Sequence, residues 1–292
     1  MATTTAEVEH VSDTARWVAV YRAMESERPD ALFHDRFARK MAGERGEAIM
    51  RGMPRGKAMA WPMIVRTAVL DEMILEAVRA GAKTVMNLAA GLDTRAWRLA
   101  LPATLRWVDA DFPAMIDYRE SHLAGEKPAC RHEHAAIDLR DPDARRALFA
   151  RVAAEGPVLV VTEGLLIYLT PEQVGALARD LHEQPAIRWW LSDLASPFLL
   201  QRMARQWGKK LAAGGAPFIF GPAEGTKFFE AFGWREAQYR SMWLEAKRLK
   251  RTMPMVWLWE LLGRLAPPER RKLFVRMSGM IQLERAVREK WS

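Results

Sequence analysis

Residues 84–95 set the strongest limit on what this chain can fold into. Thr84-Val85-Met86-Asn87-Leu88 is a largely apolar run that ends in Ala89-Ala90-Gly91, and Asp93-Thr94-Arg95 then opens a helix. A buried strand that feeds a ligand site needs a turn without bulk, so that a ligand can approach bare backbone, and these three small residues supply it. About twenty residues on, a second apolar run, Leu105 to Val108, closes on Asp109 and Asp111. A carboxylate at the end of the second strand of such a unit accepts both hydroxyls of a ribose. The spacing therefore predicts an α/β fold with an adenosine site, and leaves Asp109 and Asp111 as rivals for the ribose.

The turn also discriminates between adenosine ligands. A pyrophosphate packs against several glycines at a helix N-terminus, whereas only Gly91 is present here. Asp93 places a negative charge where a diphosphate would sit. A phosphate-free ligand fits better, namely S-adenosylmethionine, with S-adenosylhomocysteine as its demethylated product. The alternative is an NAD(P)-linked oxidoreductase built on the same turn and acid, and the missing glycines count against it.

Three blocks follow along the chain. Residues 1–80 read as a helical cap, with Val18, Tyr21, Met24, Phe33, Phe37 and Met41 at helical spacing and Pro29 and Pro54 as punctuation. Residues 81–195 alternate strand and helix. The strands are expected at Thr84 to Ala89, Leu105 to Asp109, Arg131 to Asp138, Val158 to Thr162 and Ile187 to Asp193, with helices near 93–100, 112–122, 141–153 and 171–183. Such alternation implies a doubly wound, mostly parallel sheet covered on both faces. Residues 196–292 are mixed, a C-terminal part of the core with a helical insertion. Phe228 to Gly233 reads as a helix end and Arg276 to Glu284 as the last strand, at the sheet edge.

With these elements in place, Asn87 to Leu99 resembles the Gly-Ala-Gly-Leu-Asp-Thr-Arg signature of the leucine carboxyl methyltransferase superfamily, including its bacterial branch of polyketide-type O-methyltransferases. Five further segments match in order: Ala31-Leu32-Phe33-His34-Asp35-Arg36-Phe37-Ala38, Arg66-Thr67, Asp111-Phe112-Pro113, Asp138-Leu139-Arg140, and Val161-Thr162-Glu163-Gly164-Leu165-Leu166-Ile167-Tyr168-Leu169. Ala89 stands where the family has its first glycine. Alanine is unstrained there only with φ below zero.

The resemblance implies a seven-stranded, Rossmann-like class I methyltransferase that uses S-adenosylmethionine. Arg66 would pair with the methionine carboxylate, a task suited to a guanidinium. Ala89, Ala90 and Gly91 would form the turn under the cofactor, Asp111 would hold the ribose, and Asp138 with the Leu139 backbone would edge the adenine. Asp138 also reads as an ordinary helix cap. Glu163 closes a run that should be buried, so it must meet the cofactor ammonium or a neighbouring cation. Tyr168 is the candidate catalytic residue, either orienting the acceptor or packing. The acceptor would be a carboxylate or phenol oxygen of a small molecule, such as a polyketide or other secondary metabolite, free or carrier-bound. A non-catalytic protein that binds S-adenosylmethionine or docks a carrier is the third reading.

At 292 residues and 50% hydrophobic the chain can bury a large core. Cys130 is its only cysteine, which excludes an intramolecular disulfide. No signal-like N-terminus and no run of about 18 apolar residues is present, so a cytoplasmic protein without stable membrane insertion is expected. His132 and His134 alternate on a strand without nearby further ligands, and no metal is expected. The net charge of +8 comes from residues 235–292, with 14 Lys/Arg against 6 Asp/Glu. That surplus reads as a solvated surface, or else as a docking face for an acidic carrier or membrane. Nucleic acid is not expected as a partner, since no binding module is recognised. Tryptophans 257 and 259, beside Arg264, Arg270, Arg271 and Lys272, read as a helix packed on its own domain or on a dimer partner, with a membrane-surface helix and a substrate-pocket lining as the alternatives, and a homodimer is compatible with the sequence.

Overall fold

The computed structural model describes residues 12–53, 56–213, 217–253, 256, 267 and 273–286. Three helices come first: α1 (Ser12–Ser26), α2 (Ala38–Gly52) and α3 (Ala60–Arg79). The alternating segment then runs β1 (Thr84–Leu88), α4 (Arg95–Arg98), β2 (Arg106–Asp111), α5 (Pro113–Leu123), β3 (Arg131–Ala136), α6 (Pro142–Ala153), β4 (Val158–Thr162), α7 (Pro171–His182) and β5 (Ile187–Ala195). After α8 (Pro197–Ala213) come β6 (Trp234–Ser241), α9 (Met242–Arg248) and β7 (Ser278–Arg285). Local chemistry explains several starts. α7 opens on a reciprocal cap, in which Thr170 Oγ1 accepts from the Gln173 amide and the Gln173 side chain accepts from the Thr170 amide, with Pro171 at the first helical position. α6 is capped by Asp141, which accepts from the amides of Asp143 and Ala144. Asp138 is therefore not that helix's cap.

The seven strands form one sheet in the order β3-β2-β1-β4-β5-β7-β6. β1 to β5 are parallel, and β7 runs antiparallel to both β5 and β6. Alternate residues of β4 face opposite cores: Val158 and Val160 join one, with α6 and α7, while Leu159 and Val161 join the other, with α3. Both sheet faces are thus covered, as the alternating pattern predicts. A third apolar cluster lies among α1, α2 and the start of α3.

Two expectations need correction. The last strand is not the edge strand. β7 carries Met280, Ile281 and Leu283, all fully buried, and sits between β5 and β6. The edge is β6, whose Arg235, Glu236, Gln238 and Arg240 suit an exposed margin and masked its strand character in the sequence. The helix expected near 93–100 is also only one turn long, Arg95–Arg98.

The described part of the basic C-terminal segment is largely paired within the molecule. Arg240 and Arg248 meet Glu72 and Glu245, Arg251 meets Glu25 and Asp30, and Arg276 meets Glu236. Trp257, Trp259 and the cations Arg264, Arg270, Arg271 and Lys272 lie outside the described residues. Among the described residues no helix is long and apolar enough to cross a membrane.

Candidate active site

The strand order reverses between β1 and β4, and a crevice opens there at the carboxyl ends of the parallel strands, the usual place for a ligand in such sheets. A cavity of about 1370 Å³ fills that crevice and continues under α1, α3 and α8. All nine residues singled out in the sequence line it: Arg66, Ala89, Ala90, Gly91, Asp111, Asp138, Leu139, Glu163 and Tyr168.

The turn after β1 is tighter than a glycine-free backbone prefers. Gly91 has φ +54° and Ala89 has φ +53°, both left-handed. The condition for an unstrained alanine, φ below zero, is thus not met at Ala89, which carries strain of about 1–2 kcal/mol. Asp111 holds this turn in place: its Oδ2 accepts from the Gly91 amide at 2.7 Å and its Oδ1 from the Phe112 amide at 2.7 Å. Burial raises the Asp111 carboxyl above its usual range, against the lowering pull of those two amides.

The two aspartates differ in depth. Asp109 is 1% exposed, does not line the cavity and is fully engaged. It accepts from Asn87 Nδ2 (3.0 Å) and Trp107 Nε1 (2.9 Å), meets His132 Nε2 at 2.8 Å, and pairs with the buried Arg119 at 3.1 Å. Asp111, the terminal residue of β2, is the acid that the cavity exposes.

A buried ion network adjoins the turn. Arg66, from the middle of α3, donates from Nε to Glu163 Oε1 (2.9 Å) and from Nη1 to Asp193 Oδ2 (3.3 Å). No hydrogen bond from its Nη2 is found among the described residues, so one edge of this cavity-lining guanidinium is free. Gly164, with φ +64°, packs closely on Arg66: a Cβ there would lie 3.1 Å from Nη1 and would push the guanidinium by a few tenths of an ångström. Arg95 links Glu163 (2.6 Å), Asp71 (2.6 Å) and Asp93 (2.7 Å), and Arg98 adds a second cation on Asp71. Burial would raise the Glu163 carboxyl, yet the Arg95 and Arg66 guanidiniums outweigh it and hold it below its usual range. Asp93 is likewise buried, and Arg95, Arg98 and Arg22 bring it down to about 2. The network joins four carboxylates (Asp71, Asp93, Glu163, Asp193) to three guanidiniums (Arg66, Arg95, Arg98), an excess of one negative charge.

Asp138 sits at the far end of the crevice and pairs with Arg140 at 2.7 Å. Tyr168, in a tight turn after β4, stacks on Phe218 with ring centroids 5.8 Å apart, and its hydroxyl hydrogen-bonds with Thr14 of α1. Burial raises its phenol above the ordinary value against the pull of Arg66, so it stays a neutral hydroxyl at physiological pH. Sequence reasoning missed Asp193, Arg95 and Asp71. Asp193 had a usable signal, being a carboxylate near the carboxyl end of a parallel strand like Asp111. Asp71 sits inside a helix with no local pattern to mark it.

The leucine carboxyl methyltransferase family model matches residues 15–182. A Streptomyces coelicolor protein provisionally named an S-adenosyl-L-methionine-dependent methyltransferase is 36% identical over 200 residues, 62% of this chain and 70% of that protein. One of the same name from Saccharopolyspora erythraea is 34% identical over 187 residues, 61% of this chain and 65% of its own length. A Mycobacterium avium protein so named is 32% identical over 264 residues, 77% of this chain and 83% of its own. Among solved structures, a DUF574 family protein from Streptomyces avermitilis superposes with a TM-score of 0.58 at 14% identity, covering 94% of this chain and 97% of that one. A protein from Thermobifida fusca, provisionally named a methyltransferase, gives a TM-score of 0.54 at 18% identity, with 92% and 94% covered. At these identities the two structures speak for the fold alone.

Proposed function

The chain belongs to the leucine carboxyl methyltransferase family, and on that premise we propose that it transfers the methyl group of S-adenosylmethionine to a carboxylate or phenol oxygen of a small molecule. It is an S-adenosylmethionine-dependent methyltransferase, and the oxygen acceptor and the residue roles are our reading. The observation that carries this reading is the single negative charge left over in the buried network of Asp71, Asp93, Glu163, Asp193, Arg66, Arg95 and Arg98. S-adenosylmethionine, with a sulfonium, an ammonium and a carboxylate, has a net charge of +1 and complements it. A nicotinamide dinucleotide carries a net negative charge and does not.

When bound, the cofactor supplies a methyl group on a positively charged sulfur, already activated for displacement. The protein's task is to align that carbon with the acceptor oxygen and exclude water. The free edge of Arg66 takes the cofactor carboxylate, and Glu163 with Asp193 faces its ammonium. Asp111 accepts the ribose hydroxyls while holding the Gly91 turn, and Asp138 with Leu139 borders the adenine. Tyr168, neutral and tied to Thr14, presents its hydroxyl to orient the acceptor oxygen. A carboxylate acceptor is ionised at neutral pH and needs no base to attack.

Two measurements test the reading. Calorimetry should show saturable binding of S-adenosylhomocysteine and no comparable binding of NAD or NADP. Methyl-labelled S-adenosylmethionine, incubated with a panel of aromatic and aliphatic acids and phenols, should label at least one. Label released by mild base marks an ester, and label that resists marks an ether. Tight NAD binding without an S-adenosylhomocysteine signal would overturn the proposal.

A further inference from the structure

The cavity is larger than one ligand requires. Small-molecule pockets commonly measure about 300–1,000 Å³, and this one is about 1370 Å³ in a single space. Its charged half lies at the strand ends. The other half is walled by α1, the start of α3, α8 and the segments around 218 and 274, and its surfaces are Trp61, Met63, Met203, Phe218, Trp243 and Phe274. Seven methionines line the cavity as a whole, and thioether side chains yield to bulky apolar shapes of different outline. Several of these aromatics are only half-buried, so the apolar wall still has surface left for an apolar guest to cover.

Charge is distributed unevenly among the arginines that line the cavity. Arg22 is paired with Asp35, Arg66 with Glu163 and Asp193, and Arg95 and Arg98 with Asp71. Arg140 is paired with Asp138 and Arg145 with Asp180. Arg202 is the exception: it lines the cavity from α8, one residue before Met203, is exposed to solvent, and has no carboxylate or hydrogen-bond partner among the described residues. An unpaired guanidinium at the open side of an apolar chamber is a receptor for an anionic group on an apolar molecule.

We propose that the apolar half is the acceptor site, that it takes an amphipathic anion with a bulky aromatic or polycyclic skeleton, and that Arg202 selects for the anionic group. The assignment rests on the methyl-transfer reading for the contents of the other half, and its test is separable from it. Arg202 is exposed and outside the buried network, so replacing it leaves the fold and the cofactor half intact.

The probes are 1-pyrenebutyrate and its neutral carboxamide, titrated by pyrene fluorescence into protein with and without saturating S-adenosylhomocysteine. We expect saturable binding of both, with the acid at least tenfold tighter than the amide, the lower end of what a charge-assisted hydrogen bond provides. Arg202→Gln should erase that preference, and Arg202→Lys should keep most of it. Met203→Asn should weaken acid and amide alike, as expected of a wall residue. Equal affinity for acid and amide in the wild type, an undiminished preference in Arg202→Gln, or no binding of either probe would each overturn the assignment. Loss of the S-adenosylhomocysteine signal alone would count against the methyl-transfer reading and leave the pyrene comparison, made without that ligand, to decide this one.

Discussion

Asp109 and Asp111 give a direct comparison of a structural and a ligand-facing carboxylate two residues apart. Asp109→Asn removes the charge from a site with four polar partners, and it strands Arg119, which is fully buried and whose one other salt bridge among the described residues is to Glu120 at 3.6 Å. Breaking a buried pair in this way costs about 3–5 kcal/mol. At about 2 °C per kcal/mol for a chain of this length, that is a fall in Tm of roughly 6–10 °C. Asp111→Asn is milder for the fold, because an amide keeps one acceptor for the Gly91 and Phe112 amides and loses the other, roughly 1–3 kcal/mol. Its main effect falls on the ribose contact. Losing a charge-assisted hydrogen bond of about 1.5–3 kcal/mol weakens affinity roughly 10- to 150-fold. Differential scanning fluorimetry and calorimetry with S-adenosylhomocysteine, run at a temperature where both variants are folded, separate the effects. Asp109→Asn should melt early yet bind normally, and Asp111→Asn should bind poorly with a smaller change in Tm. If Asp109→Asn loses tenfold or more in affinity while Asp111→Asn binds like the wild type, the assignment by depth is wrong.

Three further outcomes are expected. Ala89→Gly relieves left-handed strain of about 1–2 kcal/mol and gives back about 0.4–1 kcal/mol of chain entropy, so urea unfolding should show a net gain of about 0.5–1 kcal/mol; a loss of stability would contradict the strain argument. Asp93 is lowered from 3.8 to about 2 in the fold, so it contributes stability that is present above pH 4 and lost as the pH falls through about 2. At 1.36 kcal/mol per tenfold this is about 2 kcal/mol, and the gap between wild type and Asp93→Asn should narrow on acidification from pH 6 to pH 3; a constant gap would rule out the charge as its source. Arg66→Gln leaves Glu163 with Arg95 but deprives Asp193 of its cation, so it should reduce both Tm and S-adenosylhomocysteine affinity; a variant impaired in neither would remove Arg66 from the site.

The elements between residues 84 and 195 were legible because each carries its own short-range signal. The buried runs of β1 and β4, the Thr170-Pro171-Gln173 cap and the Asp141-Pro142 start depend on neighbours a few residues away. β6 was not legible, since an edge strand is selected by what it pairs with and not by an apolar pattern.

The site divides along the same line. Sequence alone determined that a small-residue turn, an acid some twenty residues on and a carboxylate after β4 would meet at one crevice, because parallel strands bring their carboxyl ends to one edge of the sheet. The spacing did not distinguish Asp109 from Asp111, which share a strand face by the period of two and differ only by about 6.6 Å of depth, and only the family resemblance favoured Asp111. Nor did it reveal that Arg66 and Arg95 would share Glu163 across nearly 100 and 70 residues of chain, with separations of 97 and 68. Those pairings, the strained φ of Ala89 and the unpaired Arg202 were decided by tertiary packing. Burial charges and dihedrals depend on everything that closes around them, and the local chain does not encode that.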